Sequence, residues 1–152
     1  MRFIETITSR NGREIDFKLA GALVEPLCKK YSINLLYVFG SHAHGAAGRF
    51  SDLDVAFYAR RSLSGNETDE FYAALQKLFE EEAIDLVNLA KAPPVIVHRA
   101  LKSGVCLFAS GIKERIEFET SSEARYFDTE PLRSEFFAEM ERRLGNGSFG
   151  HR

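Results

Sequence analysis

Val38–Tyr58 reads "VFGSHAHGAAGRFSDLDVAFY". A β-like run ends in Gly40-Ser41, a Gly- and Ala-rich loop follows, and a second β-like run opens with two aspartates, Asp52 and Asp54. Residues i and i+2 of a strand point to the same side. Asp52 and Asp54 are therefore expected to project together, with Leu53, Val55 and Phe57 on the opposite face. Two neighbouring carboxylates repel each other unless something positive lies between them. Mg²⁺ does this well, because it favours carboxylate oxygens shared with substrate phosphates and water over an all-protein cage. The aspartate pair asks for a metal, and the metal asks for a phosphate.

Gly40-Ser41 supplies the other half. A glycine at a strand end lets backbone approach a ligand closely. Small residues in "SHAHGAAG" (41–48) suit a turn into a short helix, whose N–H groups and the Ser41 hydroxyl could grip a polyphosphate. A third carboxylate, Asp85, lies in "AIDLVNLA" (83–90), which reads as a further strand. If that strand neighbours the Asp52–Asp54 strand, it completes a cluster of three carboxylates. Two metal ions held there would clamp the attacking and leaving oxygens of an in-line displacement. Asp85 is also a candidate acceptor of the incoming hydroxyl's proton.

Working outward, Asn11-Gly12 between β-tolerant residues signals an N-terminal hairpin within residues 1–16. Ala20, Leu23, Val24, Leu27, Cys28 and Tyr31 follow a helical period over 16–31. "INLLYVFG" (33–40) reads as a buried strand. Ser64 and Glu67 form a capping-box pattern ahead of a helix carrying Phe71, Leu75, Leu78 and Phe79. Pro93-Pro94 opens a short helix that Gly104 ends, and "VCLFAS" (105–110) is another strand. The remainder is helical, with a break near Tyr126–Thr129. The stripe Leu132, Phe136, Phe137, Met140 and Leu144 then reads first as core, any exposed part of it being a candidate partner surface, and residues 145–152 as a flexible tail. Strands separated by helices indicate a single α/β (α+β) domain over 1–152, with its core at about 17–144: a small mixed sheet flanked by helices, with a C-terminal helix.

Composition narrows the function classes. The 152 residues carry a formal net charge of −2, which gives no general pull toward nucleic acid or an anionic membrane. Two cysteines, Cys28 and Cys106, stand in no metal-ligand spacing. No secretory h-region opens the chain and no apolar run approaches bilayer length, so a cytoplasmic location is expected.

Gly40-Ser41, ten residues, then Asp52-Leu53-Asp54 resembles the Gly-Ser-x10-Asp-x-Asp signature of the polymerase-β-like nucleotidyltransferase superfamily. The chain looks most like the minimal nucleotidyltransferase (MNT) branch, the antitoxin half of HEPN–MNT toxin–antitoxin pairs. "IDLVNLAKAPPVIVHRALKSGVCLF" (84–108) and "YFDTEPLRSEFFAEMERRL" (126–144) resemble that branch's later segments, so the likeness runs from about Leu19 to Leu144. It implies a polymerase-β-like fold and Mg²⁺-dependent transfer of AMP from ATP to a tyrosine of a partner HEPN-domain RNase toxin. Carried over, Gly40 and Ser41 would hold the triphosphate, Asp52 and Asp54 would ligate Mg²⁺, and Asp85 would be the third metal-binding and catalytic carboxylate. One departure stands out: the family loop often reads Gly-Ser-x-Ala-Arg-Gly, and here it is "GSHAHG" (40–45), with His44 where Arg is usual. Arg is always charged and grips phosphate bidentately, whereas neutral His does not. Weaker or more pH-dependent activity is therefore expected, not its loss.

Blander assignments compete with these. His42 and His44 read more readily as surface residues than as a metal pair, and His98 as surface or packing. Arg60-Arg61 reads as a solvated loop end before a phosphate contact, and Asp85 alone could be a buried, hydrogen-bonded aspartate. Two alternative functions stay open: a small-molecule (aminoglycoside-type) nucleotidyltransferase, though the chain has little room for the acceptor domain such enzymes carry, and a non-catalytic antitoxin acting by binding. Neither membrane nor direct nucleic-acid contact is expected, and a homodimer or a hetero-oligomer is left open.

Overall fold

The computed structural model describes residues 6–8, 14–40 and 52–145. Two short antiparallel strands, β1 (Thr6–Thr8) and β2 (Glu14–Asp16), pair as the expected N-terminal hairpin, although Asn11-Gly12 lies outside the described residues. Helix α1 (Phe17–Lys30) follows at once. It starts there because Asp16 Oδ1 accepts hydrogen bonds from the N–H groups of Lys18 (2.6 Å) and Leu19 (3.2 Å), two donors that have no partner within the helix.

Strands β3 (Leu35–Phe39), β4 (Leu53–Tyr58), β5 (Ile84–Asn88) and β6 (Val105–Ala109) form one sheet in the order β5-β4-β3-β6. β3 runs antiparallel to both β4 and β6, while β4 and β5 are parallel, so the sheet is mixed as expected. A parallel neighbour needs a crossover. That crossover is α2 (Gly65–Phe79), whose start carries the capping box: Glu67 N–H donates to Ser64 Oγ (3.1 Å) and Ser64 N–H to Glu67 Oε2 (2.8 Å).

All five residues of β3 are buried, because helices cover both faces of the sheet. On one face Leu53, Val55 and Phe57 of β4 pack with Ala20, Val24 and Cys28 of α1 and with Phe71, Leu75 and Phe79 of α2. On the other, Leu35, Tyr37, Phe39 and Ala56 pack under α3 (Pro94–Ser103) and α4 (Ile112–Asp128), through Val97, Ala100 and Phe118. Each fully buried Phe or Leu contributes about 1.5–3 kcal/mol relative to leaving it in water. Tyr37 ties strand to helix: its hydroxyl donates to Glu119 Oε1 at 2.8 Å, and burial, then that bond, push the phenol well above its usual range. The end of α3 lies close on β3, since a Cβ at Gly104 would overlap the carbonyl oxygen of Ala100 and stand 3.2 Å from Phe39 Cβ. Gly104 ends α3 because nothing larger fits.

The last helix departs from expectation. α5 (Glu130–Gly145) buries none of its residues, and Leu132, Phe136, Phe137 and Leu144 are 69%, 65%, 52% and 57% exposed. The stripe is not core. The reason lies at the corner, where Arg133 Nη1 donates to the Tyr126 carbonyl (2.7 Å) and to Thr129 Oγ1, with its guanidinium 3.8 Å over the Tyr126 ring. On the other ring contact of Tyr126, His98 stacks at 3.7 Å, a packing role. This clamp sets the helix break where the sequence indicated it, and α5 leaves the corner without packing any side chain into the core. No described helix is long and apolar enough to cross a membrane.

Candidate active site

The site is built where β3 ends, β4 begins and β5 runs beside β4. Phe39 pairs with Asp54 across the antiparallel ladder, which places Gly40, the next residue, at the Asp54 side chain. Gly40 has φ +72°, a left-handed conformation suited to glycine, and a Cβ there would overlap Asp54 Oδ2. Only hydrogen leaves room for the carboxylate. On the other side, Asp54 is in register with Asp85 in the parallel β4–β5 pair. Directly paired residues of neighbouring strands lie close, with side chains on the same face. Asp85 is exposed because β5 is an edge strand, so it is not a buried, hydrogen-bonded aspartate.

Asp54 and Asp85 share the face whose interior is filled by Tyr37, Ala56 and Val87 under α3. Here the cover of α3 ends, and a cavity of about 510 Å³ opens. Phe39, Gly40, Asp54 and Asp85 line it together with residues that follow β5 and residues of α3. It is large enough for a small-molecule ligand and contains a few convergent polar groups.

Of the residues singled out from sequence, the fold thus brings Gly40, Asp54 and Asp85 together. Asp52 is exposed, one residue ahead of β4, and does not line the cavity. Among the described residues no three His, Cys, Asp or Glu side chains converge as a metal-holding group, so the expected three-carboxylate cluster is not drawn together here. Ser41, His42 and His44 lie outside the described residues. Arg60 and Arg61 are engaged within the protein, Arg60 Nε with Glu114 Oε1 at 2.7 Å and Arg61 with Glu67 at 3.0 Å. The cavity also holds Asn88, Lys91 and Arg99, which sequence reasoning missed. Lys91 follows the Asp85 strand by three residues and Arg99 lies on α3, one turn beyond Ile96, and no local spacing in the sequence links either to Asp54.

Comparison with known proteins bears on the fold and the family. The chain is 30% identical over 78 residues to the protein adenylyltransferase MntA of Shewanella oneidensis, a match covering 51% of this chain and 55% of that protein. The chain thus spans about half the length of that curated relative. Among solved structures, a toxin–antitoxin crystal structure with AMP-PNP superposes with a TM-score of 0.68 at 22% identity, covering 80% of this chain and 98% of that one. A tri-AMPylated Shewanella oneidensis HEPN toxin in complex with MNT antitoxin gives 0.55 at 20% identity, covering 87% and 98%. At these identities the structures bear on the fold. A family model for polymerase beta nucleotidyltransferases matches residues 23–112, more than half of the chain and every described element of the site, and the chain belongs to that family.

Proposed function

We propose that this chain is an Mg²⁺-dependent protein adenylyltransferase that moves AMP from ATP to a tyrosine of a HEPN-domain toxin and silences it. The observation that carries the proposal is the register pair Asp54–Asp85, which lines one cavity together with Gly40, the glycine that makes room for the Asp54 carboxylate. The names of the relatives support the acceptor and the nucleotide: MntA is a protein adenylyltransferase, one solved neighbour holds AMP-PNP, and another is a complex with an AMPylated HEPN toxin.

The residues fit the chemistry. Asp54 and Asp85 offer hard oxygen donors on one face, and the Asp54 carboxylate packs where a side chain at Gly40 would otherwise lie. Asp54, Asp85 and Asp52 are the residues that would hold Mg²⁺, with Asp52 turning in from its exposed position. A metal held there would neutralise charge on the phosphates. Gly40 and Ser41 receive the triphosphate, and His44 is a further candidate contact to it. Asp85 accepts the proton of the tyrosine hydroxyl. The phenol oxygen forms a bond to the α-phosphorus while the bond from that phosphorus to the bridging oxygen breaks, and pyrophosphate leaves with the electron pair. The chain's contribution is mainly alignment and fixed charge.

Labelling tests the proposal. Radioactivity from ATP labelled at the α-phosphorus should enter the HEPN partner, label at the γ-phosphorus should not, and EDTA should abolish transfer. Transfer of the γ-label would mean phosphorylation and would overturn the assignment.

A further inference from the structure

Among the described residues, two carboxylates and two cations line one cavity. Asp54 and Asp85 stand on the strands, Lys91 in the turn after β5, and Arg99 on α3. Most arginines of the described region are committed elsewhere: Arg60 to Glu114, Arg61 to Glu67, Arg115 to Glu119, Arg133 to the α4–α5 corner, Arg142 to Glu139. Neither Lys91 nor Arg99 is in an ion pair with a described residue, and both are exposed. Nor does either reach Asp54 or Asp85 closely enough to form an ion pair across the cavity.

A polyphosphate in this cavity would be repelled by the aspartates unless positive charge met it from another side. Metal held by the carboxylates would do so from the strand wall. The phosphates need cations beyond that metal, and among the described residues Lys91 and Arg99 are the cations that line the cavity. Arg99 brings a planar fork of donors matched to two phosphate oxygens, Lys91 a mobile point charge. We propose that Lys91 and Arg99 form a second phosphate-binding wall that holds the nucleotide's phosphate chain against the aspartates. The inference rests on the adenylyltransferase reading above and adds two positioning residues to it. It also bears on His44: two permanent cations from outside the Gly40–Gly45 loop reduce the need for an arginine within it.

Equilibrium binding separates the possibilities, using the full chain in Mg²⁺ with three probes: ATP, inorganic tripolyphosphate and adenosine. Arg99→Ala should weaken ATP and tripolyphosphate about tenfold or more, the range of a lost charge-assisted contact, and leave adenosine unchanged. Arg99→Lys should recover part of the loss, and Lys91→Ala should show a smaller version of it. In turnover, the change should fall on KM for ATP and not on KM for the protein acceptor. Both residues are exposed, so the thermal midpoint of each variant should stay at the wild-type value. Equal losses for adenosine and ATP would assign Arg99 to the base and overturn the proposal, as would unchanged tripolyphosphate binding or a change in KM for the acceptor alone. If the unsubstituted chain bound neither ATP nor tripolyphosphate, the adenylyltransferase reading itself would fall.

Discussion

At the scale of single residues, Gly40 carries the most information. Its positive φ and the overlap a Cβ would make with Asp54 Oδ2 tie one backbone position to one carboxylate. Gly40→Ala is expected to destabilise the fold by about 1 kcal/mol or more from the left-handed conformation alone, and to push Asp54 aside. Turnover should therefore fall further than the shift in melting temperature accounts for; a variant with normal turnover would show that the position of Asp54 is not critical. Arg61 and Glu67 allow a second prediction. Hydrogen bonds from Arg61, and then from the Ser64 N–H, hold the Glu67 carboxyl down at about 2, below its ordinary 4.5. A carboxyl lowered in the folded state stabilises the fold above its unfolded pKa, and that contribution disappears as pH falls toward the folded value. Melting temperature should accordingly drop between about pH 4.5 and pH 2, and Glu67→Gln should flatten that part of the curve. Glu67 is on the surface, so the effect should be small and should shrink in high salt.

At the scale of elements, β3 and β4 were legible because their patterns differ for a physical reason. A central strand under two helical layers reads as an unbroken apolar run, "LLYVF", whereas β4 alternates and shows Asp54 where the second layer stops. Capping chemistry marked α2, where Ser64 and Glu67 satisfy each other's backbone groups. α5 was misread, because an apolar stripe records amphipathicity without saying what it faces. The direction of α5 is set by the contacts of Arg133 with Tyr126 and Thr129, which no periodicity encodes. Phe136→Ser should consequently change chemical-denaturation stability by less than about 0.5 kcal/mol. Phe71→Ala, which empties a fully buried position between α2 and the sheet, should cost about 3–5 kcal/mol. Comparable losses for the two would place α5 in the core after all. The cavity's cations escaped the sequence for a similar reason: Lys91 and Arg99 come to line one cavity with Asp54 only through the β4–β5 pairing and the placement of α3 over the sheet.

At the scale of the whole molecule, the fold is a sheet with helices packed on both faces and a cavity opening beside the Gly40 end of β3. Covering the sheet with α1 and α2 on one side and α3 and α4 on the other supplies the burial that keeps the strands in register. That register brings an aspartate of an inner strand beside an aspartate of the edge strand, a juxtaposition that costs stability in the absence of a cation. Two carboxylates and a left-handed glycine thus meet at one place in the fold. The central claim is that this opening transfers AMP to a protein. Intact-mass spectrometry of a HEPN partner after incubation with the chain, ATP and Mg²⁺ tests it most directly. A gain of one or more AMP units that disappears with Asp54→Asn and with Asp85→Asn is the predicted result; an unmodified partner that the chain nevertheless binds and inhibits, or a gain that survives both substitutions, would contradict it.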